Sequence, residues 1–526
     1  MIQAQCARSG FGGGHKPLAR PRPGAPLRLC LPGYTLDIIH GEDGVATSVP
    51  WNDPLQHSAM HSFAWLTGED GPALLALLWP DWLDRHEQPD SSPVWSPRMT
   101  ALRAVALLDI ARNSGLPEPR SRTLAVLAAH IGRLCAALGK PMPPALNLDR
   151  AILAHALARL GLDLGAPAAA DLGLALLIEE AERLCAPSGM SLMESSCHHL
   201  DLTRLCTDGW LAAQRISRAE ARPLEGLAHR FLGALHALTL PGGLPLVGNI
   251  LPLSPEGWLN GLLRGADPAQ GWTGLLAPKD RDRLVSLRDS ASLADLTALE
   301  RDGWLRQDMG AWSGLWHTPP SGWTHQTGEG HRDISAFVLH YDGIPVFTDL
   351  GGAPSSALNG GPDVLLAAQH GGLMLGDQPP YPADHAGYSD AFRREIGGEA
   401  PRLRAEYDGA SLAMTGFNRL GGPCETERRW RFGAERLTIE DRIGGTGRFR
   451  VTRRLITPLA VISDETGLIL EGPGQRFRLS SPDAARLSAC AIHPGFGAAR
   501  PATQIEWTTR INLPWCSTLT LERLSP

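Results

Sequence analysis

Gly328-Glu329-Gly330-His331-Arg332-Asp333-Ile334-Ser335-Ala336-Phe337-Val338-Leu339-His340-Tyr341-Asp342-Gly343-Ile344-Pro345-Val346-Phe347-Thr348-Asp349 is the stretch on which the reading of this chain turns. It reads as a β-hairpin. Phe337 and Leu339 alternate with neighbours of the opposite face, Tyr341-Asp342-Gly343 supplies the turn, and Ile344 to Thr348 returns. At ~3.4 Å per residue, an antiparallel return carries Asp349 back beside the start of the first strand, where His331 and Asp333 stand. His370 opens the next apolar run, Leu373-Met374-Leu375. Two histidines and a carboxylate gathered by sheet pairing suit a divalent metal. The plainer reading of a His-x-Asp at a strand entry is a turn whose Asp accepts backbone N–H bonds.

Before the hairpin the periodicity is helical and comes in pairs. Arg98 to Asn113 ends at Ser114-Gly115, Leu124 to Leu138 at Gly139, Leu148 to Leu164 at Gly165, and Leu172 to Cys185 near Gly189. His199 to Ile216 and Leu224 to Leu238 follow. Each places apolar residues at i, i+3 and i+4 and meets a Gly or Pro stop, which predicts a bundle or a ring of helical hairpins. After residue 325 period-two runs dominate, among them Trp430-Arg431-Phe432, Leu437-Thr438-Ile439 and Leu519-Thr520-Leu521. Many short strands at regular spacing predict an antiparallel sandwich. The expected organisation is a basic arm over 1–49, a helical domain over 50–310 and a β-sandwich over 311–526, an α+β multidomain chain. Ligand sites favour such domain junctions.

Composition narrows the classes. At 526 residues the chain is too long for one core. A formal net charge of −6 argues against nucleic acid as the main partner. No apolar run approaches the ~18 residues of a membrane span. Nine cysteines, an odd number with no C-x-x-C, argue against a zinc ribbon or a disulfide scaffold. They read as small buried apolar residues, in a reducing compartment or in an envelope protein that keeps its thiols free. The first 33 residues hold Arg8, Lys16, Arg20, Arg22 and Arg28 with no acid and no apolar core of a leader. No secretory signal is visible there, and the segment reads as a disordered arm or an early start codon.

The order of helices then sandwich, with this hairpin, resembles the heparinase II/III superfamily of polysaccharide lyases, with an α/α toroid followed by an antiparallel β-sandwich. Its signature is similar to Gly328-Glu329-Gly330-His331-Arg332-Asp333, then Phe347-Thr348-Asp349-Leu350-Gly351, then Gln369-His370-Gly371-Gly372-Leu373-Met374-Leu375-Gly376-Asp377. Gly243-Leu244-Pro245-Leu246-Val247-Gly248-Asn249 and Ser254-Pro255-Glu256-Gly257-Trp258-Leu259 also resemble a family stretch. The resemblance covers roughly residues 50 to 526. It implies β-elimination on uronic-acid-containing or related cell-envelope glycans, a polysaccharide or oligosaccharide partner, and an envelope or periplasmic location, with cytoplasm as the alternative. It also implies a structural metal, zinc or a similar ion, held by His331, Asp349 and His370.

The chain departs from the family where the chemistry sits. A lyase neutralises a uronic carboxylate and removes the adjacent proton. The family histidine that does the former is Glu329 here, and a carboxylate repels a carboxylate unless one is protonated. The family tyrosine has no counterpart in the helical half, since the five tyrosines fall at 34, 341, 381, 388 and 407. Glu194-Ser195-Ser196-Cys197-His198-His199 resembles the segment that carries it, so His198 or His199 stands near its position, an imidazole with pKa near 6.5. The alternative is one histidine capping the helix and one at the surface. Asn147 matches a family asparagine and equally suits a helix cap. Tyr388 offers a phenol from the sandwich side. Glu194, Trp258 and Trp323 are expected to contact substrate, because indole faces stack on sugar rings; for most of the tryptophans between 258 and 323 core packing is the competing role.

Three function classes therefore stand: a polysaccharide lyase-like enzyme, a metal-bearing glycan-binding or envelope-assembly protein that has lost elimination chemistry, and an Fe(II)/2-oxoglutarate oxygenase. The last rests on His331-x-Asp333, His385 and Arg393, and the long helical domain has no place in it.

Overall fold

The computed structural model describes residues 18, 20–41, 44–141, 146–248, 255–323, 334–351, 370–382, 384–385, 387–465, 467–495 and 498–524. Glu329, His331 and Asp333 lie outside them.

The helical half is built as expected, from hairpins of antiparallel helices joined by short connections. Helices Pro97–Ser114, Arg120–Leu138, Asp149–Leu164, Pro167–Arg183, Ser196–Arg215 and Ala221–Leu238 match the six periodic runs to within a few residues. Asp149–Leu164 is buried almost all round. That is what an apolar surface without a polar stripe requires of an inner helix. Two features differ from the expectation. A helix spans Gly71–His86 although Pro80 stands inside it, and it is anchored by Trp79 and Trp82, stacked with centroids 5.0 Å apart. The segment expected as a disordered arm holds a hairpin, Leu27–Leu31 against Tyr34–Ile38, whose Leu27, Leu29, Leu31 and Ile38 are buried in the helical core. Alternating apolar residues outweigh the basic composition there.

The sandwich begins at strand Trp304–Met309, ahead of the expected boundary at 311, because this strand pairs with Trp312–His317. One four-stranded sheet joins these two to the diagnostic hairpin, Phe337–Tyr341 and Ile344–Phe347. Its turn places Asp342 and Gly343 at φ 48° and 79°, the conformation that lets a two-residue loop follow the strand twist. Ile344–Phe347 is the edge strand, where Pro345 deprives no neighbour of a donor. An eight-stranded sheet and a second four-stranded sheet, which includes Gly372–Leu375, complete the sandwich. Trp312, Trp316, Phe337, Trp430 and Phe477 share its core. Trp272, Trp304, Trp312 and Trp316 are buried, so for these four the indole is packing rather than a sugar platform.

Candidate active site

The two halves meet where Ala234, Ala237 and Leu238 of helix Ala221–Leu238 pack on Trp304, Leu315 and Val338, and helix Ser196–Arg215 is tied to that junction at its first turn. Ser195 caps its first turn, accepting the His198 N–H at 3.2 Å, while Ser196 ties the helix to the strap 242–248 through its hydroxyl and the Pro245 carbonyl, 2.6 Å apart. The strap reaches the hairpin in turn, where the Gly242 N–H donates to His340 Nδ1 at 3.2 Å. Gly248 holds φ +74°, and a Cβ there would lie 2.1 Å from the Glu194 carbonyl oxygen, so no other residue fits this approach.

Two cavities flank this junction. One, of about 300 Å³, lies between the helical half and the sandwich; Cys197, Asp201, Glu256, His340, Thr348 and Arg500 are among its walls. The other, of about 120 Å³, lies within the helical half between apolar walls and Arg98, Asp109, His155, Arg204 and Trp258. Asp201 lines both. Its carboxyl makes no hydrogen bond among the described residues, and burial raises it to about 6 against the pull of Arg204 and Arg98. Across the larger cavity, His340 accepts at Nδ1, which puts the proton of the neutral ring on Nε2, and burial lowers this histidine to about 4. Glu256 and Arg500 join the two halves at 2.5 Å.

The expected imidazole base fares differently at its two positions. His199 is not at the chemistry: Nδ1 accepts the Ser191 N–H at 3.1 Å and Nε2 donates to the Phe231 carbonyl at 2.9 Å, with the ring fully buried. It is a pin that fastens the helix to its neighbours. His198 is also buried, lines neither cavity, and has no partner for Nδ1 among the described residues. Burial and then Arg98 lower it to about 4, so it is already neutral at pH 5.

Residues 291–514 match the family "Heparinase II/III-like, C-terminal". The fold is shared with a solved heparinase III, at 13% identity and TM-score 0.62, covering 92% of this chain and 80% of that one. Heparan sulfate lyase HepC from Pedobacter heparinus follows at 15% identity and TM-score 0.51, covering 93% and 80%. Among curated proteins none matches the chain in sequence. The chain therefore carries a heparinase II/III-like C-terminal region within that shared fold. It has the α/α toroid and β-sandwich of a polysaccharide lyase-like fold.

The remaining expected residues divide by place. Asn147 accepts the Asp149 N–H at 3.1 Å, an Asx turn just ahead of helix Asp149–Leu164, whose N-cap is Leu148; Asp149 in turn pairs with Arg98. Glu194, at φ 51°, lies just before the Ser195 cap. Trp258, half-buried, lines the smaller cavity. Trp323 instead lines a third depression with Asp384 and Arg393 that shares no wall with the first two. Tyr388 packs on Phe392 and His385, centroids 4.7 and 5.1 Å away, and lines none of these three depressions. Arg393 is held by Asp384 at 2.9 Å, so the oxygenase pattern is not assembled by its arginine.

Of the expected metal triad, Asp349 and His370 meet. His370 Nδ1 stands 2.8 and 3.0 Å from the two Asp349 oxygens, and Gly351 donates its N–H to Asp349 Oδ1 at 3.1 Å. Both side chains are buried. These donor types fit zinc, though two ligands of a tetrahedral ion stand roughly 3.3 Å apart, so the spacing is that of a direct hydrogen bond. Among the described residues no three His, Cys, Asp or Glu side chains are grouped to hold a metal. Among them too, no helix is long and apolar enough to cross a membrane.

Sequence reasoning missed Asp201, Arg98, Arg204 and His340. A signal was present: Cys197, Asp201 and Arg204 recur at i, i+4 and i+7, setting two charges on an otherwise apolar helix stripe.

Proposed function

We propose that this protein acts on uronic-acid-containing or related cell-envelope glycans by β-elimination, in the cleft between toroid and sandwich. The observation that carries the reading is the interdomain cavity of a lyase-like fold, walled by a titratable carboxyl from the toroid and a neutral imidazole from the sandwich. Arg98 and Arg204 beside Asp201 supply positive charge for a uronic carboxylate, and Trp258 a face for a sugar ring. His340 Nε2–H suits a hydrogen bond to a sugar oxygen. His331, Asp349 and His370 would hold a divalent ion, zinc by donor type, which would brace the loops after the hairpin rather than enter the reaction. A glycan substrate of the envelope places the protein in that compartment. Incubation with alginate, polygalacturonate, hyaluronan and heparan sulfate tests the reading: an unsaturated product absorbing at ~235 nm is expected on at least one. Products lacking that absorbance on all four would end it.

One observation favours a second reading, a glycan-binding protein without elimination chemistry. Each cleft arginine already has an acid: Arg98 pairs with Asp149, Arg204 with Asp109 and Arg500 with Glu256. Oligosaccharide binding by calorimetry without any turnover is its signature.

A further inference from the structure

We propose that Asp201 is the proton-transferring residue of this cleft, in place of the tyrosine or histidine that the family resemblance points to; the assignment rests on the β-elimination reading above. Position is the first argument. Among the described residues Asp201 is the one that lines both the interdomain cavity and the toroid cavity, so a chain running from one to the other passes it. Freedom is the second. The carboxyl has no hydrogen bond among the described residues, whereas Asp109, Asp149, Asp208 and Glu256 nearby are each held by an arginine. A structural carboxylate of a toroid is tied down; this one is left available. The third is its setting: Arg204 follows one turn later on the same helix, and its Nε is buried with no partner among the described residues. An oxyanion entering between Arg98 and Arg204 would satisfy it.

The groups facing Asp201 are Cys197 and Arg204 on its own helix, Arg98 and Asp109 from Pro97–Ser114, and His155 from Asp149–Leu164. Glu256, Arg500 and His340 face it around the larger cavity. Burial and then Asp201 push Cys197 up to about 12, so the thiol stays protonated and does not compete as a base. Asp201 itself, near 6, is ionised at pH 7 and still basic enough to hold a proton briefly.

The step balances within the protein and substrate. Asp201 carboxylate takes the proton from the carbon bearing the uronic carboxyl group. The C–H electron pair becomes the ring double bond, and the bond from the neighbouring carbon to the glycosidic oxygen breaks with its pair going to that oxygen. Asp201 returns the proton to this oxygen, which regenerates the carboxylate and leaves one new reducing-end hemiacetal and one unsaturated uronide.

The test uses the full chain and whichever of the four polyuronides the wild type cleaves. Asp201→Asn is expected to lower kcat by ~100–10,000-fold with KM changed less than about threefold, the range for loss of a general base. Asp201→Glu should restore part of the rate, and the wild-type acid limb near pH 6 should be absent from the residual activity of Asp201→Asn. Asp201→Asn within threefold of wild type, or with the same acid limb, overturns the assignment while elimination stands. A wild type that forms no unsaturated product overturns elimination and the assignment together. Loss of rate accompanied by loss of thermal stability and oligosaccharide affinity would mark Asp201 as structural and also overturn it.

Discussion

Asp349 Oδ2 lies 2.8 Å from His370 Nδ1, two buried side chains 21 positions apart beside the ends of strands that belong to different sheets. The pair is either a hydrogen bond in its own right or two-thirds of a metal site completed by His331. If an ion binds, elemental analysis should find about one per chain, and chelation should lower the unfolding temperature. His370→Ala should cost roughly 3–5 kcal/mol in either case, because it strands a buried carboxylate. Metal-free protein whose unfolding is indifferent to chelators would reduce the pair to its hydrogen bond.

His199 should prove structural. Replacement by alanine removes a buried ring and two hydrogen bonds, an expected loss of about 2–4 kcal/mol in chemical denaturation. The protein that remains folded at low temperature should turn over within a few-fold of wild type. A hundredfold loss of rate at unchanged stability would return His199 to the chemistry.

The fold was legible because its signals are local. Helix periods ending at glycines, and a two-residue turn demanding positive φ at Asp342 and Gly343, are written in consecutive residues. The helix over Gly71–His86 was hidden by Pro80, and the Leu27–Ile38 hairpin by the basic residues around it. The site was harder for a different reason. Asp349 and His370 were joined by the family resemblance of the segments that carry them, but Asp201 acquires its character from Arg98, more than a hundred positions away, and from two cavities that exist only after distant segments pack. His198 and His199 show the reverse: adjacent in sequence, they face different surroundings, and only the structure shows that one is fully bonded.

Gly248 fixes the strap against the head of the catalytic helix. Gly248→Ala forces a Cβ to 2.1 Å from the Glu194 carbonyl oxygen at a φ of +74°. The strap must move, at a cost of roughly 2–4 kcal/mol from strain and overpacking. Because Ser196 bonds to Pro245 and Val247 in that strap, glycan affinity should fall as well. Denaturation and calorimetric binding measured together check this; unchanged values in both would show that the strap does not brace the cleft.

Acid should destabilise the protein through its buried histidines. Burial lowers His61 to about 3 and His198, His199, His236 and His340 to about 4. Unfolded, each titrates near 6.5. Between about pH 4 and 6.5 the folded rings stay neutral while the unfolded ones are protonated, so unfolding takes up protons and stability falls as pH falls. Asp201 works in the opposite sense, since burial raises it to about 6 and the folded state then holds a proton that the unfolded state has lost. At pH 5 the five histidines outweigh the one carboxyl, for a net uptake of roughly three to four protons per molecule. Unfolding free energy measured from pH 7 to 5 should therefore drop steeply, and Asp201→Asn, which removes the opposing group, should be more stable than wild type at pH 7 by about 1 kcal/mol, allowing for solvent screening. The advantage should fall to about half near pH 5 and vanish only below about pH 4, where the unfolded carboxyl is protonated as well. A flat profile from pH 7 to 5 would show that these imidazoles are not buried neutral.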